Sequence, residues 1–79
     1  MIKVLFFGPV AERAGTREMS VDYRAGMRMQ DLRAHLQALH PEAFEIVCFA
    51  AVDGEHVLDM SLLLAENSEV VFMSKFSGG

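Results

Sequence analysis

Chemistry in this chain is concentrated at its end, in Gly78-Gly79. Glycine makes up about 7% of residues in proteins, so a glycine pair at one given place arises by chance in roughly one chain in two hundred. A Gly-Gly end has no Cβ to obstruct it, so it can thread a narrow channel and offer its α-carboxylate to a reagent. The other reactive side chains form no catalytic pattern. His35 and His40 lie five apart on a helical stretch and face different ways, and His56 stands alone, so no metal-ligand spacing is complete. Cys48 sits inside an apolar run with no base near it in sequence, which reads as a small core residue. Asp31 with Glu42, and Asp53 with Glu55, read as solvated carboxylates flanking a helix and a turn. Nothing matches a glycine-rich phosphate loop, so any ATP used with this chain is bound by another protein.

The elements that would position the terminus follow from periodicity. Met1 to Phe7 is a strand stopped by Gly8-Pro9, and Val10 to Ala14 has room for one helical turn. Thr16 to Tyr23 alternates, with Met19, Val21 and Tyr23 on one side and Glu18, Ser20 and Asp22 on the other. Met29, Leu32, Leu36 and Leu39 fall at helical spacing and predict a helix over about 28–40, ended by His40-Pro41. Its N-cap position holds Arg28, which offers no side-chain acceptor to the free N–H groups. Ile46 to Val52 reads as a buried strand, and Asp53-Gly54 as a tight turn into His56-Val57-Leu58. Leu62 to Ala65 is expected to be a short turn or 3₁₀ segment. Glu69 to Lys75 is the last strand, and residues 76–79 are a flexible tail.

This β-β-α-β-β-β order has one main helix, which can cover only one sheet face, so the fold class is α+β. A helix laid across a mixed sheet whose first and last strands lie side by side is a β-grasp roll, here one domain over residues 1–79. The uncovered face then becomes a docking surface. Strand one carries Leu5 and Phe7 opposite Ile2, Val4 and Phe6, and Met73 alternates with Phe72 on the last strand. Leu5, Phe7 and Met73 are therefore the expected partner contacts, with Phe76 and Ser77 on the tail.

Composition narrows the partners. The 79 residues carry 7 Lys+Arg against 11 Asp+Glu, a net charge of −4, and the cations are scattered, so nucleic acid is not an expected partner. The longest apolar run, Ile46 to Val52, is too short for a membrane span, which takes about 20 residues. The start has no signal-peptide pattern, which predicts a cytoplasmic protein. The single cysteine excludes a Cys-ligated iron–sulfur cluster.

Several segments together carry a family likeness. They are Ile2-Lys3-Val4-Leu5-Phe6-Phe7-Gly8, Glu12-Arg13-Ala14-Gly15, Asp31-Leu32 through His40-Pro41, Ala51-Val52-Asp53-Gly54-Glu55, and Glu69-Val70-Val71-Phe72 through Ser77-Gly78-Gly79. With them the sequence resembles the MoaD/ThiS family of ubiquitin-like sulfur-carrier proteins, and the MoaD branch more than the shorter ThiS branch. The resemblance implies a carrier that is not catalytic alone. An E1-like adenylating enzyme of the MoeB/ThiF type would activate the Gly79 carboxylate with its own ATP-Mg, and a sulfur donor would turn it into a thiocarboxylate. The carrier itself binds no cofactor. A larger synthase subunit of the MoaE type would then receive the sulfur for molybdopterin synthesis. Thiamine synthesis, another sulfur-containing metabolite, or conjugation to protein lysines are the alternative destinations. Two positions depart from the family pattern. Ser74-Lys75 stands where a Pro-Pro pair is common, which predicts a looser tail or a longer last strand, and Asp53 stands for the usual Asn.

Overall fold

The computed structural model describes residues 1–75, and the expected tail at 76–79 lies outside the described residues. Along the chain come β1 (Ile2–Phe6), α1 (Pro9–Ala14), β2 (Glu18–Val21), α2 (Met29–Leu39), α3 (Pro41–Phe44), β3 (Val47–Val52), β4 (Glu55–Val57) and β5 (Glu69–Ser74). The strands form one mixed sheet in the order β2-β1-β5-β3-β4. The β1 and β5 strands run parallel at its middle, and every other pairing is antiparallel. This is the β-grasp arrangement expected from the sequence.

Alternation decides which side chains enter the core. Ile2, Val4 and Phe6 of β1 and Val70 and Phe72 of β5 are buried under Met29, Leu32 and Leu36 of α2. Phe44 from α3 closes the layer edge-on to Phe72, with ring centroids 5.1 Å apart, and Phe6 stacks on Phe72 at 6.3 Å. Leu39, the last residue of the helical stripe, is 52% exposed because the end of α2 overshoots the core. Pro41 ends α2 as anticipated but also opens α3 at its first position, where the missing N–H costs nothing.

The start of α2 is capped in a way the sequence does not disclose. Arg28 is indeed the N-cap and makes no side-chain cap, yet its own N–H donates to Asp31 Oδ2 at 2.9 Å. The N–H groups of Met29 and Gln30 donate to the carbonyls of Leu62 and Met60 at 2.9 and 2.8 Å. The segment expected as a turn or 3₁₀ piece is extended instead, with Leu63 bridging Arg28 and Leu64 buried. Backbone acceptors from this loop do the work of a capping side chain. The Arg28 guanidinium holds the loop in place, donating to Ser61 O at 2.6 Å. Asp59 Oδ1 accepts from the Ser61 N–H and hydroxyl, which together hold its carboxyl below the usual value, with Arg28 adding to the effect.

Candidate docking face and carrier terminus

The outer face of the sheet is built by the residues that alternate away from the helices. In β1 these are Lys3 and Leu5, followed by Phe7; in β5 they are Glu69, Val71 and Met73. Cross-strand register places Leu5 beside Val71, Val71 beside Ala51, and Met73 beside Phe49. Phe7 is 47% exposed, Phe49 is 39% exposed, and Leu5 and Met73 are half-buried. The structure therefore gathers Leu5, Phe7 and Met73 on one face as expected, and adds Val71, Ala51 and Phe49. His56 from β4 extends the strip, with its ring 5.5 Å from that of Phe49.

The Phe49 contribution was hidden by reading Ile46 to Val52 as a buried strand. With helices on one side only, β3 has a solvent face, and the small residues Ala50 and Ala51 blur its alternation. Cys48 is a second correction, since it is exposed rather than in the core. Opposite β5, the register shifts between Val47 and Phe49, so Cys48 is the extra residue of a bulge. The bulge lets Val47 take the inward position and turns the thiol out.

The Phe7 end of the face continues past the sheet. Gly8 has φ 54° and ψ −131°, a conformation suited to glycine, and reverses the chain into α1. A groove of about 730 Å³ opens there, lined by Leu5, Phe7, Ala11, Glu12 and Thr16 among others.

β5 delivers the chain to its terminus. It stays paired through Ser74, which faces Val47, so the strand runs through the first of the two positions where family members commonly carry proline. Ser74 is buried, and its hydroxyl has no hydrogen-bond partner among the described residues. At the other end of β5, Asp53 acts as a latch: its N–H donates to Glu69 O at 2.8 Å and its Oδ1 accepts from Glu69 N at 2.9 Å. Asp53 and Gly54 both have positive φ, at 50° and 86°, as a two-residue hairpin turn requires. The contacts on the tail, Phe76 and Ser77, and the terminal Gly78 and Gly79 lie outside the described residues.

The histidines do not converge. His35 is exposed on α2, His40 packs edge-on to Phe6 at 6.0 Å, and His56 is on the outer face. Among the described residues, no group of His, Cys, Asp and Glu is placed to hold a metal ion. None of the described helices is long and apolar enough to cross a membrane.

A β-grasp sheet with an apolar outer face and a final strand leading to Gly-Gly defines a ubiquitin-like protein. The chain belongs to the ThiS family, whose model matches residues 4–79. It is 32% identical to a molybdopterin synthase sulfur carrier subunit of Chlamydomonas reinhardtii, covering 99% of this chain and 98% of that one. In fold it is similar to SAMP1, a small archaeal modifier protein of Haloferax volcanii, with a TM-score of 0.82 at 22% identity over 99% of this chain and 98% of the other. It is also similar to a chain in the complex of subunits 1 and 2 of the molybdopterin-converting factor from Helicobacter pylori. That match has a TM-score of 0.74 at 21% identity, over 99% and 97% of the two chains.

Proposed function

We propose that this chain carries sulfur as a thiocarboxylate on Gly79 and delivers it in molybdopterin synthesis. The observation that supports this most is the nearly end-to-end match to the Chlamydomonas sulfur carrier subunit, together with a family match that runs through Gly79. An E1-like enzyme docks on the apolar face around Leu5, Phe7 and Met73, with Phe76 and Ser77 contacted on the tail. The Gly79 carboxylate then attacks the α-phosphate of ATP-Mg bound by that enzyme, releasing pyrophosphate and forming an acyl-adenylate. Hydrosulfide supplied by a sulfur donor displaces AMP and leaves the thiocarboxylate and a proton, since a carboxylate exchanges oxygen for sulfur only after gaining a good leaving group. Gly78 keeps the approach to the carboxylate narrow. A larger synthase subunit then takes the loaded tail; the two-subunit Helicobacter complex supports this arrangement by fold likeness.

The test is the position of the carboxylate. One added Ala displaces it by about 3.3–3.6 Å, and misplacement of a nucleophile by about 1 Å can cost roughly a hundredfold in rate. Extending the chain by Ala after Gly79, or deleting Gly79, is expected to abolish pyrophosphate release while the thermal melt is unchanged. Adenylation of the extended chain at the wild-type rate would overturn the proposal. A second reading, a modifier attached to lysines, is favoured by the fold likeness to SAMP1. Intact-mass analysis from the native cell separates the two, because a thiocarboxylate replaces one oxygen by sulfur whereas conjugation leaves a branched peptide.

A further inference from the structure

At the end of the outer face farthest from the tail, a row of charges crosses three strands. Lys3 in β1 lies between Glu18 of β2 and Glu69 of β5, with Nζ 3.6 Å from Glu18 Oε1 and 4.0 Å from Glu69 Oε2. Neither distance is short enough for a hydrogen bond, and all three side chains are about half exposed. As an internal device the row is weak, since exposed pairs of this kind are screened by water and contribute little to stability. It is also unbalanced, with two carboxylates sharing one ammonium. Asp53, held on the Glu69 backbone, adds another carboxylate beside the same strand end.

The row borders the apolar strip directly. Leu5 stands opposite Glu18 in register, and Val71 is two residues from Glu69 on the same strand face. A protein that covers the half-buried Leu5 also takes water from Glu18, its cross-strand neighbour, and from Lys3 and Glu69 beside it. Covering two carboxylates and one ammonium leaves a net negative charge, which is unfavourable in a dry interface unless it is matched. We propose that the outer face is built for a partner surface that presents an arginine or lysine to Glu18 and Glu69, and that this cation sets how far along the sheet the partner sits. This deepens, and rests on, the reading of the face as the site where the adenylating enzyme docks. Arginine suits the role best, because its planar fork can bond a carboxylate with two N–H groups. Five residue steps along β5 lead from Glu69 to Ser74, so the cation lies about 16–17 Å from the end of that strand. In this arrangement Lys3 competes with the partner for the same carboxylates.

That competition gives the test. The full chain is titrated calorimetrically, without ATP, against the E1-like adenylating enzyme of the same organism, and pyrophosphate release is then measured with the same variants. Paired Glu18→Gln and Glu69→Gln is expected to weaken binding about tenfold and flatten its salt dependence, with kcat unchanged. Lys3→Gln is expected to tighten binding several-fold, because it removes the competing ammonium. A purely internal role for the row predicts no tightening by Lys3→Gln, so Lys3→Gln binding no better than wild type overturns the inference. So does wild-type affinity in the paired Glu variant. Wild-type binding without pyrophosphate release would overturn the functional reading alone, and the order of the three affinities would still decide the inference. Absence of wild-type binding would overturn both.

Discussion

Val47, and not Cys48, stands opposite Ser74 at the end of the sheet. The bulge at Cys48 keeps the last pair of β3 and β5 in place while turning the thiol to solvent. Cys48 should therefore react with a thiol reagent in native buffer, with the same amplitude as in denaturant. Cys48→Ser should change stability by less than about 0.5 kcal/mol, as surface substitutions do. A thiol that reacts only after unfolding would place Cys48 back in the core.

The other member of that end pair, Ser74, has a buried hydroxyl with no partner among the described residues. An unpaired buried polar group costs about 1–3 kcal/mol. Ser74→Ala is expected to raise the denaturation midpoint by an amount near the lower end of that range. Ser74→Pro should do the reverse, because it places a ring without an N–H where β5 is still paired with β3 at Val47. Equal midpoints for the two variants would show that strand pairing does not extend to this residue.

Phe7 is exposed at the mouth of the groove beside α1, and the core does not depend on it. Phe7→Asp is expected to leave the melting temperature within a few degrees of wild type. It should weaken binding to the adenylating enzyme by more than about 2 kcal/mol, the scale of a hot-spot residue. A variant that unfolds would reverse the assignment of the two faces of β1.

Arg28 would be a weak point if capping depended on side chains alone, and replacing it by Ser would then stabilise the domain. With its guanidinium on Ser61 O and the first helical N–H groups already bonded to the loop, that gain disappears. Arg28→Ala should instead destabilise, and Asp31→Ala should cost about 1 kcal/mol by freeing the Arg28 N–H. Denaturant midpoints for the two variants measure both effects.

The same loop should carry a pH dependence. Asp59 is held below its ordinary value by the Ser61 hydroxyl and N–H. Its folded pKa is depressed, so its contribution to stability is fully present above the unfolded value and is lost as pH falls through the folded one. The loop should therefore be indifferent to pH from neutrality down to about pH 4. Loss of order should begin only below that, and NMR shifts of Ser61 across an acid titration report it. Loosening of Ser61 between pH 7 and 5 would contradict this.

Sequence periodicity discloses the layers well, because apolar spacing is a direct consequence of one-sided burial. Met29, Leu32 and Leu36 are buried as their spacing requires, and Ile2, Val4 and Phe6 face inwards as alternation requires. What escapes is set by partners distant in sequence. The cap of α2 comes from Met60 and Leu62, some thirty residues on, and no local signal announces it. The bulge at Cys48 is visible only against β5, and strict alternation without it cannot leave Cys48 and Phe49 exposed together. Leu5, Phe7 and Met73 were legible as an outer face because one helix cannot cover two sides. Phe49 and His56 were not, because their place depends on β3 pairing with β4 and β5.

The parallel pair at the middle of the sheet joins strands from opposite ends of the chain, β1 at Ile2–Phe6 and β5 at Glu69–Ser74. Until β5 has been synthesised, β1 lacks one neighbour, and Phe6 lacks the Phe72 ring that it stacks on. Pairing across so much sequence closes late and slowly compared with local contacts. Folding therefore waits for the strand that leads directly to the glycines. A chain that stops before β5 lacks the strand on which both β1 and β3 pair. The architecture thus ties completion of the outer sheet face to synthesis of the strand that precedes Gly78-Gly79.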